Sequence, residues 1–147
     1  MIHPAPTTKI DPTTARGTVA RQIPATATRP AFTVLTFPNT SYELHLEPAS
    51  GGKAAAAGRG SKTLGTIRAE AQRIDIVRTG GRYVEPVAGR PRRVQGMVIA
   101  VEGDRLVVDA GMPFHILPTD PRQKAADFQA GDFVSFDVKR GATYEPA

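Results

Sequence analysis

The sequence predicts a mainly β fold: a small barrel in the last third of the chain, further strands before it, one short helix and an extended amino-terminal arm. Three observations support this fold class. Apolar and polar residues alternate in several short runs, turn-forming residues rich in Gly separate those runs, and a single segment carries helix start and stop signals. The chain has 147 residues, which is enough to bury one core. We therefore expect one β domain over residues 31–147.

The first segment of the chain, residues 1–30, has a different composition from the rest. It is rich in Pro, Thr and Ala and contains no aromatic residue, so it offers little apolar surface to offset the entropy cost of ordering. We predict a disordered or extended arm over these residues. Such an arm is a candidate segment for binding a protein partner.

Accessory strands are predicted over residues 31–87. The runs "AFTVLTF" and "YELHLEP" flank a turn rich in Pro, Asn, Thr and Ser. In the second run Leu44 and Leu46 alternate with His45, so the leucines should face the core and His45 should face solvent. The glycine-rich residues 49–62 predict a flexible loop.

A further β pattern begins at Thr63 and continues to Ile76. Its alternation slips near Gln72 and Arg73, which predicts a β-bulge there. A helix over residues 66–78 is the alternative, because Ala, Glu, Gln and Arg favour it. The "TGG" turn that follows predicts a hairpin with the run "RYVEPV".

Residues 94–140 predict the barrel itself. The runs "VQGMVIAV", "RLVVDA" and "FHIL" read as three strands joined by two tight turns, and Gly96 inside the first marks a bend. A helix of about nine residues should begin after the cap Asp120, with Pro121 at its first position, and stop at Gly131. The run "DFVSFDVK" closes the series, with Phe136 inward.

Strand, strand, strand, helix, strand is the order of an oligonucleotide/oligosaccharide-binding (OB) barrel without a clear fifth strand. The run "RGATYEP" supplies only a short one. We expect the strands of residues 63–87 to complete or extend the sheet, because an unpaired edge invites aggregation.

The segments "VQGMVIAVEGDRLVVDAG", "FHILPTD" and "FQAGDFVSFDV" within residues 94–138 resemble the S-one-type RNA-binding repeat, an OB-fold domain. The matching positions are Gly96, Val98, Val108, Asp109, Gly111, His115, Gly131, Asp132, Val134 and Val138. The second strand departs from that pattern, with Leu106 and Val107 where an aromatic residue is usual. The resemblance implies that Phe114 and His115 lie on a nucleic-acid-binding face.

Charge is unevenly distributed along the chain. Residues 51–93 hold ten Lys or Arg against three acidic residues, whereas residues 94–147 hold five against eight, within a formal net charge of +5. The densest basic cluster supplies the candidate phosphate contacts Arg78, Arg82, Arg90, Arg92 and Arg93. Its "AGRPRR" segment also resembles a single AT-hook; the alternative is a solvated connection between strands.

Several function classes have no support in the sequence. There is no Cys and the three His are scattered, so we predict no metal site and no cofactor. No Ser lies in a nucleophile elbow, so we predict that the protein is not an enzyme. No apolar run is long enough for a membrane span or a signal peptide, so we expect no membrane partner and a cytoplasmic protein.

These observations predict that the protein is a noncatalytic module that binds nucleic acid, either RNA or another single strand. Arginines would bind phosphates, and Phe114 and His115 would contact bases. The alternative is a structural or assembly protein that binds other chains through its arm and sheet edges. An OB barrel that binds sugar or peptide would have the same fold.

Overall fold

The computed structural model describes residues 11–49 and 58–147, and the fold is mainly β, as predicted. The strands within these residues are β1 (Ala15–Ile23), β2 (Phe32–Thr36), β3 (Glu43–Pro48), β4 (Lys62–Ile76), β5 (Tyr83–Glu85), β6 (Ala88–Gly89), β7 (Arg93–Glu102), β8 (Arg105–Asp109), β9 (Pro113–Pro118), β10 (Phe133–Val138) and β11 (Thr143–Pro146). A 3-10 helix spans Ala125–Asp127. Within the described ranges, none of the helical structure is long and apolar enough to cross a membrane.

The strands form two closed rings that share the long strand β4. The first ring runs β1, β2, β3, β11, β4 and back to β1. The second runs β4, β10, β7, β8, β9 and back to β4. Gly65, near the start of β4, lies opposite Ala15 of β1. Ile74, near its end, lies opposite Phe136 of β10, so the two ends of β4 serve different rings.

The interior of each ring is filled by the inward side chains of its strands. Leu35, Leu44 and Leu46 are fully buried in the first ring, and the alternation in "YELHLEP" predicts this for Leu44 and Leu46. The strand turns predicted near residues 103 and 111 are confirmed, and the inward residues of β7 to β10 are buried, among them Phe114 and Phe136. All of these residues belong to one continuous apolar core.

The β-bulge predicted in β4 is confirmed. Phe136 pairs with Ile74, but Val138 pairs with Ala71, so two residues of β4 oppose the single residue Asp137. Both Ala71 and Ile74 are buried as a result, although three positions separate them. The alternative helix over residues 66–78 is wrong.

The arm prediction is wrong for residues 15–23, because they form β1 and pair with both β2 and β4. Ala15, Gly17 and Val19 face the core of the first ring, which supplies the burial that the segment lacks on its own. Residues 1–10 lie outside the described residues. Of the predicted loop 49–62, residues 50–57 also lie outside them, and the N–H of Gly60 donates to the carbonyl oxygen of Val19 at 2.7 Å.

The predicted hairpin between β4 and "RYVEPV" is wrong, because β5 pairs with β7 and not with β4. The end of β4 is already paired with β10. The side-chain amide of Gln95 on β7 donates to the carbonyl oxygens of Thr79 and Gly81, which holds the glycine turn over β7. This redirects the chain toward β7.

The predicted helix of about nine residues is also wrong, since only Ala125–Asp127 is helical. Asp120 does not cap a helix; its carboxylate accepts a hydrogen bond from the N–H of Arg122 at 2.9 Å in a tight turn. Gln123 uses its side chain to bond the backbone of β4. Gly96 does mark a close approach, because a Cβ there would lie 2.2 Å from the carbonyl oxygen of Asp109.

Candidate anion-binding site

A pocket of about 230 Å³ lies where the first ring meets the segments that lead into and out of the second ring. We call it the seam pocket. Its charged and aromatic lining residues are Phe32, His45, Glu47, Arg90, Arg92, Lys139 and Arg140. They come from β2, β3, the connection between β6 and β7, and the connection between β10 and β11.

Backbone hydrogen bonds join the segments that carry these side chains. The N–H of Val138 donates to the carbonyl oxygen of Arg92 at 2.8 Å, which places the two basic connections side by side. On the other wall, the N–H of Glu47 donates to Ala142 at 2.9 Å. Parallel pairing of β6 with β3, Leu44 opposite Gly89, brings Arg90 next to the strand that holds Glu47. The pocket is therefore built on paired backbone.

The four cations of the seam pocket form no ion pair among the described residues, whereas six other arginines do. These four are Arg90, Arg92, Lys139 and Arg140. Unpaired donors from two different connections thus converge on one concave surface. Guanidinium and ammonium groups arranged in this way attract phosphate and carboxylate ligands.

His45 lies at the aromatic wall of the pocket. Its ring centroid is 5.8 Å from that of Phe32, at an interplanar angle of 58°. Burial, with the positive charge of Arg21 as a second cause, lowers the pKa of His45, and the charge of Glu43 opposes the shift. The imidazole is therefore neutral near pH 7, and it can act as donor or acceptor beside an anion.

The structure divides the five predicted arginines. Arg90 and Arg92 line the seam pocket. Arg93 is directed to a different surface, where it donates to Asp137 and to Ser135 at 2.8 Å each, and its pKa is raised by hydrogen bonds to Tyr83 and Asp137. Arg93 is the first residue of β7 and lies opposite Asp137 of β10, whereas Arg90 and Arg92 belong to the connection before β7.

The other two predicted arginines lie outside the seam pocket. Arg82 forms an ion pair with Asp109 at 2.9 Å. Arg78 is exposed in the connection after β4. The five arginines that are clustered in the sequence therefore do not form one basic patch on the surface.

The predicted base contacts are not available on the surface of β8 and β9. Phe114 is fully buried in the core of the second ring. The Nε2 of His115 donates to the carbonyl oxygen of Thr13 at 2.7 Å, so the residues before β1 lie against the outer side of β9. Val107, which pairs with His115, is not part of the apolar core and is nevertheless fully buried. The outer face of β8 and β9 at these two residues is therefore covered by other parts of the protein.

Sequence reasoning missed the other half of the seam pocket. Lys139 is the last residue of the predicted strand "DFVSFDVK" and Arg140 follows it, so the residues "KRG" could have indicated a second basic connection. The alternation in β3 predicts that His45 faces solvent, but it does not reveal that the ring of His45 packs near Phe32. No local pattern places Glu47 opposite these cations.

Two further features of the described residues bear on the site. A larger concavity of about 640 Å³ lies at one end of the first ring, and its described lining residues include two cations, Arg16 and Lys62, beside Leu64 and prolines. Within residues 11–49 and 58–147, no group of three or more His, Asp or Glu side chains could hold a metal ion.

No protein-family model, curated protein or solved structure matches the chain.

Proposed function

We propose that this protein is a noncatalytic nucleic-acid-binding module that holds the phosphate backbone of a single strand in the seam pocket. The observation that carries the proposal is the convergence of four cations that form no ion pair within residues 11–49 and 58–147: Arg90, Arg92, Lys139 and Arg140. Side chains that donate only, on a concave surface, match phosphate oxygens that accept only. The net charge of +5 would attract a polyanion before contact.

The second ring supports an OB-like assignment with an unusual order along the chain. In this assignment β7, β8, β9 and β10 take the first four places of the barrel. Strand β4, which precedes them in sequence, takes the fifth place between β9, to which it is parallel, and β10, to which it is antiparallel. Barrels of this class often bind oligonucleotides.

The position proposed for the bound nucleic-acid strand differs from the one that the S-one-type resemblance implies. That resemblance points to Phe114 and His115 of β9, but Phe114 is buried in the core and His115 is bonded to Thr13. The seam pocket instead offers phosphate contacts and one aromatic wall, Phe32 with His45. We therefore propose backbone binding with little base stacking, and sequence preference should be weak.

The experiment is a fluorescence-anisotropy titration of labelled single-stranded RNA of about 12 nucleotides, a length typical of OB-fold sites. Binding should weaken steeply between about 50 and 200 mM salt, because four phosphate contacts on a single strand release about three counterions. The double variant R90Q/R92Q should lower the salt slope by about 1.4, and K139Q/R140Q by a similar amount.

The matched control is R78Q, which removes an exposed arginine outside the pocket. It should weaken binding far less than either double variant. The proposal is wrong if the wild-type protein does not bind at low salt, or if R78Q weakens binding as much as R90Q/R92Q does.

The assembly alternative has less structural support. The segment predicted to grip other chains contributes β1 to the first ring, and both rings close on themselves through β4. Few long strand edges are thus left among the described strands to bind another protein.

A further inference from the structure

We propose that the seam pocket selects RNA over DNA, with Glu47 as the residue that determines this specificity. Its carboxylate would accept a hydrogen bond from the ribose 2′-hydroxyl of a nucleotide whose phosphate lies in the pocket. This inference rests on the proposed function and names its ligand class.

The first observation is that Glu47 is an acceptor whose side chain has no partner in the part of the chain that the structure describes, in a pocket of donors. Glu47 lines the seam pocket with the four cations, and its carboxylate forms no ion pair or side-chain hydrogen bond among the described residues. A bare carboxylate repels a phosphate ligand, so a pocket that bound phosphate alone would bind it less tightly because of Glu47. The cost is offset if the ligand also brings a hydroxyl donor.

The second observation is that the backbone of Glu47 is held firmly. Its N–H donates to Ala142 at 2.9 Å, and it lies opposite Thr143 in the parallel pair of β3 and β11. Gly141, next to it, has a φ of +99°, and a Cβ there would lie 3.9 Å from the Oε2 of Glu47. The glycine at this position therefore gives the loop beside Glu47 a backbone conformation that other residues rarely adopt.

The third observation is the size of the pocket. At about 230 Å³ it is smaller than the pockets of about 300 Å³ or more that enclose whole drug-sized ligands, so it suits a sugar-phosphate unit better than a complete nucleotide with its base. In RNA each ribose carries its 2′-hydroxyl next to the 3′-phosphate. The 2′-hydroxyl is the group by which proteins distinguish RNA from DNA.

The experiment compares three oligonucleotides of one sequence: RNA, DNA and RNA methylated at every 2′-oxygen. Wild-type protein should bind RNA about tenfold more tightly than DNA, the effect of one hydrogen bond to a charged group in a half-exposed site. Methylated RNA should bind as weakly as DNA, because it lacks the donor. E47A should bind RNA and DNA equally, and its affinity for DNA should be no lower than that of wild type.

Two variants serve as controls. E102A removes an exposed carboxylate in the β7–β8 hairpin, outside the pocket, and should preserve the preference for RNA. E47Q keeps an acceptor oxygen without the negative charge, so it should retain part of the preference. General electrostatic effects of losing an acidic residue would change RNA and DNA binding alike in E102A and E47A.

The outcomes separate this inference from the proposed function. If neither RNA nor DNA binds with salt dependence, the proposed function itself is wrong. If both bind through the four cations but wild type shows no preference, the function stands and the role of Glu47 is refuted. A preference that survives in E47A, or that persists for methylated RNA, would also refute it, because a base or shape contact would then be responsible.

Discussion

The side-chain amide of Gln123 forms two hydrogen bonds with the backbone of Ile74. The N–H of Ile74 donates to Oε1 at 2.8 Å, and Nε2 donates to the carbonyl oxygen of Ile74 at 2.7 Å. The pairing of β9 with β4 ends at Pro118 opposite Ala71, so Gln123 takes the place of a strand just beyond that end. One side chain thus satisfies the backbone next to the bulge.

Replacing Gln123 by Ala should lower the free energy of unfolding by about 1 to 3 kcal/mol, because it leaves a part-buried donor and acceptor without partners. Urea denaturation followed by circular dichroism measures the change. Gln129→Ala is the matched control, since Gln129 is exposed, and it should change stability by less than about 0.5 kcal/mol. Equal stability of the two variants would contradict the role assigned to Gln123.

Gly96→Ala should destabilise the second ring severely. An added Cβ would lie 2.2 Å from the carbonyl oxygen of Asp109, which is backbone and cannot rotate away. The strands β7 and β8 would have to separate, at a cost of about 3 kcal/mol or more. Thermal denaturation measures the loss, and Gly58→Ala, where the nearest atom lies 3.9 Å away, should behave like wild type.

Stability should fall as the pH drops through the titration of His45. Because burial lowers the pKa of His45 in the folded state, the unfolded chain binds this proton first, at about pH 6.5. Between that pH and the lower folded pKa the unfolded state holds more protons, so acid favours unfolding. Urea midpoints of wild type should therefore decrease from about pH 7.5 to pH 5.5.

His45→Gln isolates that contribution, because Gln does not titrate. The variant should lose the part of the pH dependence that His45 causes, while the remaining groups keep theirs. A wild-type midpoint that is constant over this range, or a variant with the same pH dependence as wild type, would show that His45 does not control stability there.

Much of the second ring could be predicted, because the patterns that specify its strands and turns lie within short segments of the sequence. Branched and polar residues alternate in β7 to β10, tight turns separate the first three, and the slip near Gln72 is visible as a change of parity in β4. Long-range pairing could not be read in the same way. Ala15 reaches Gly65 across fifty positions, and nothing in the composition of the first segment shows that β4 has a free side there.

The candidate site could be predicted only in part for the same reason. Density of arginines along the chain identified Arg90 and Arg92, but it also included Arg93, which its strand turns toward Asp137. The other cations come from a connection nearly fifty positions later, which a hydrogen bond between Val138 and Arg92 brings alongside. Charge along a sequence therefore does not reveal charge on a surface.

Because β4 is a common wall of both rings, neither ring can open without removing partners from the same strand. Its fifteen residues pair with β1 and β11 toward one end and with β9 and β10 toward the other. Melting of one half thus exposes backbone and core of the other, and the chain should lose its structure in a single all-or-none transition. A nucleic acid bound at the junction would then protect the whole molecule against heat, and not merely the half that it contacts.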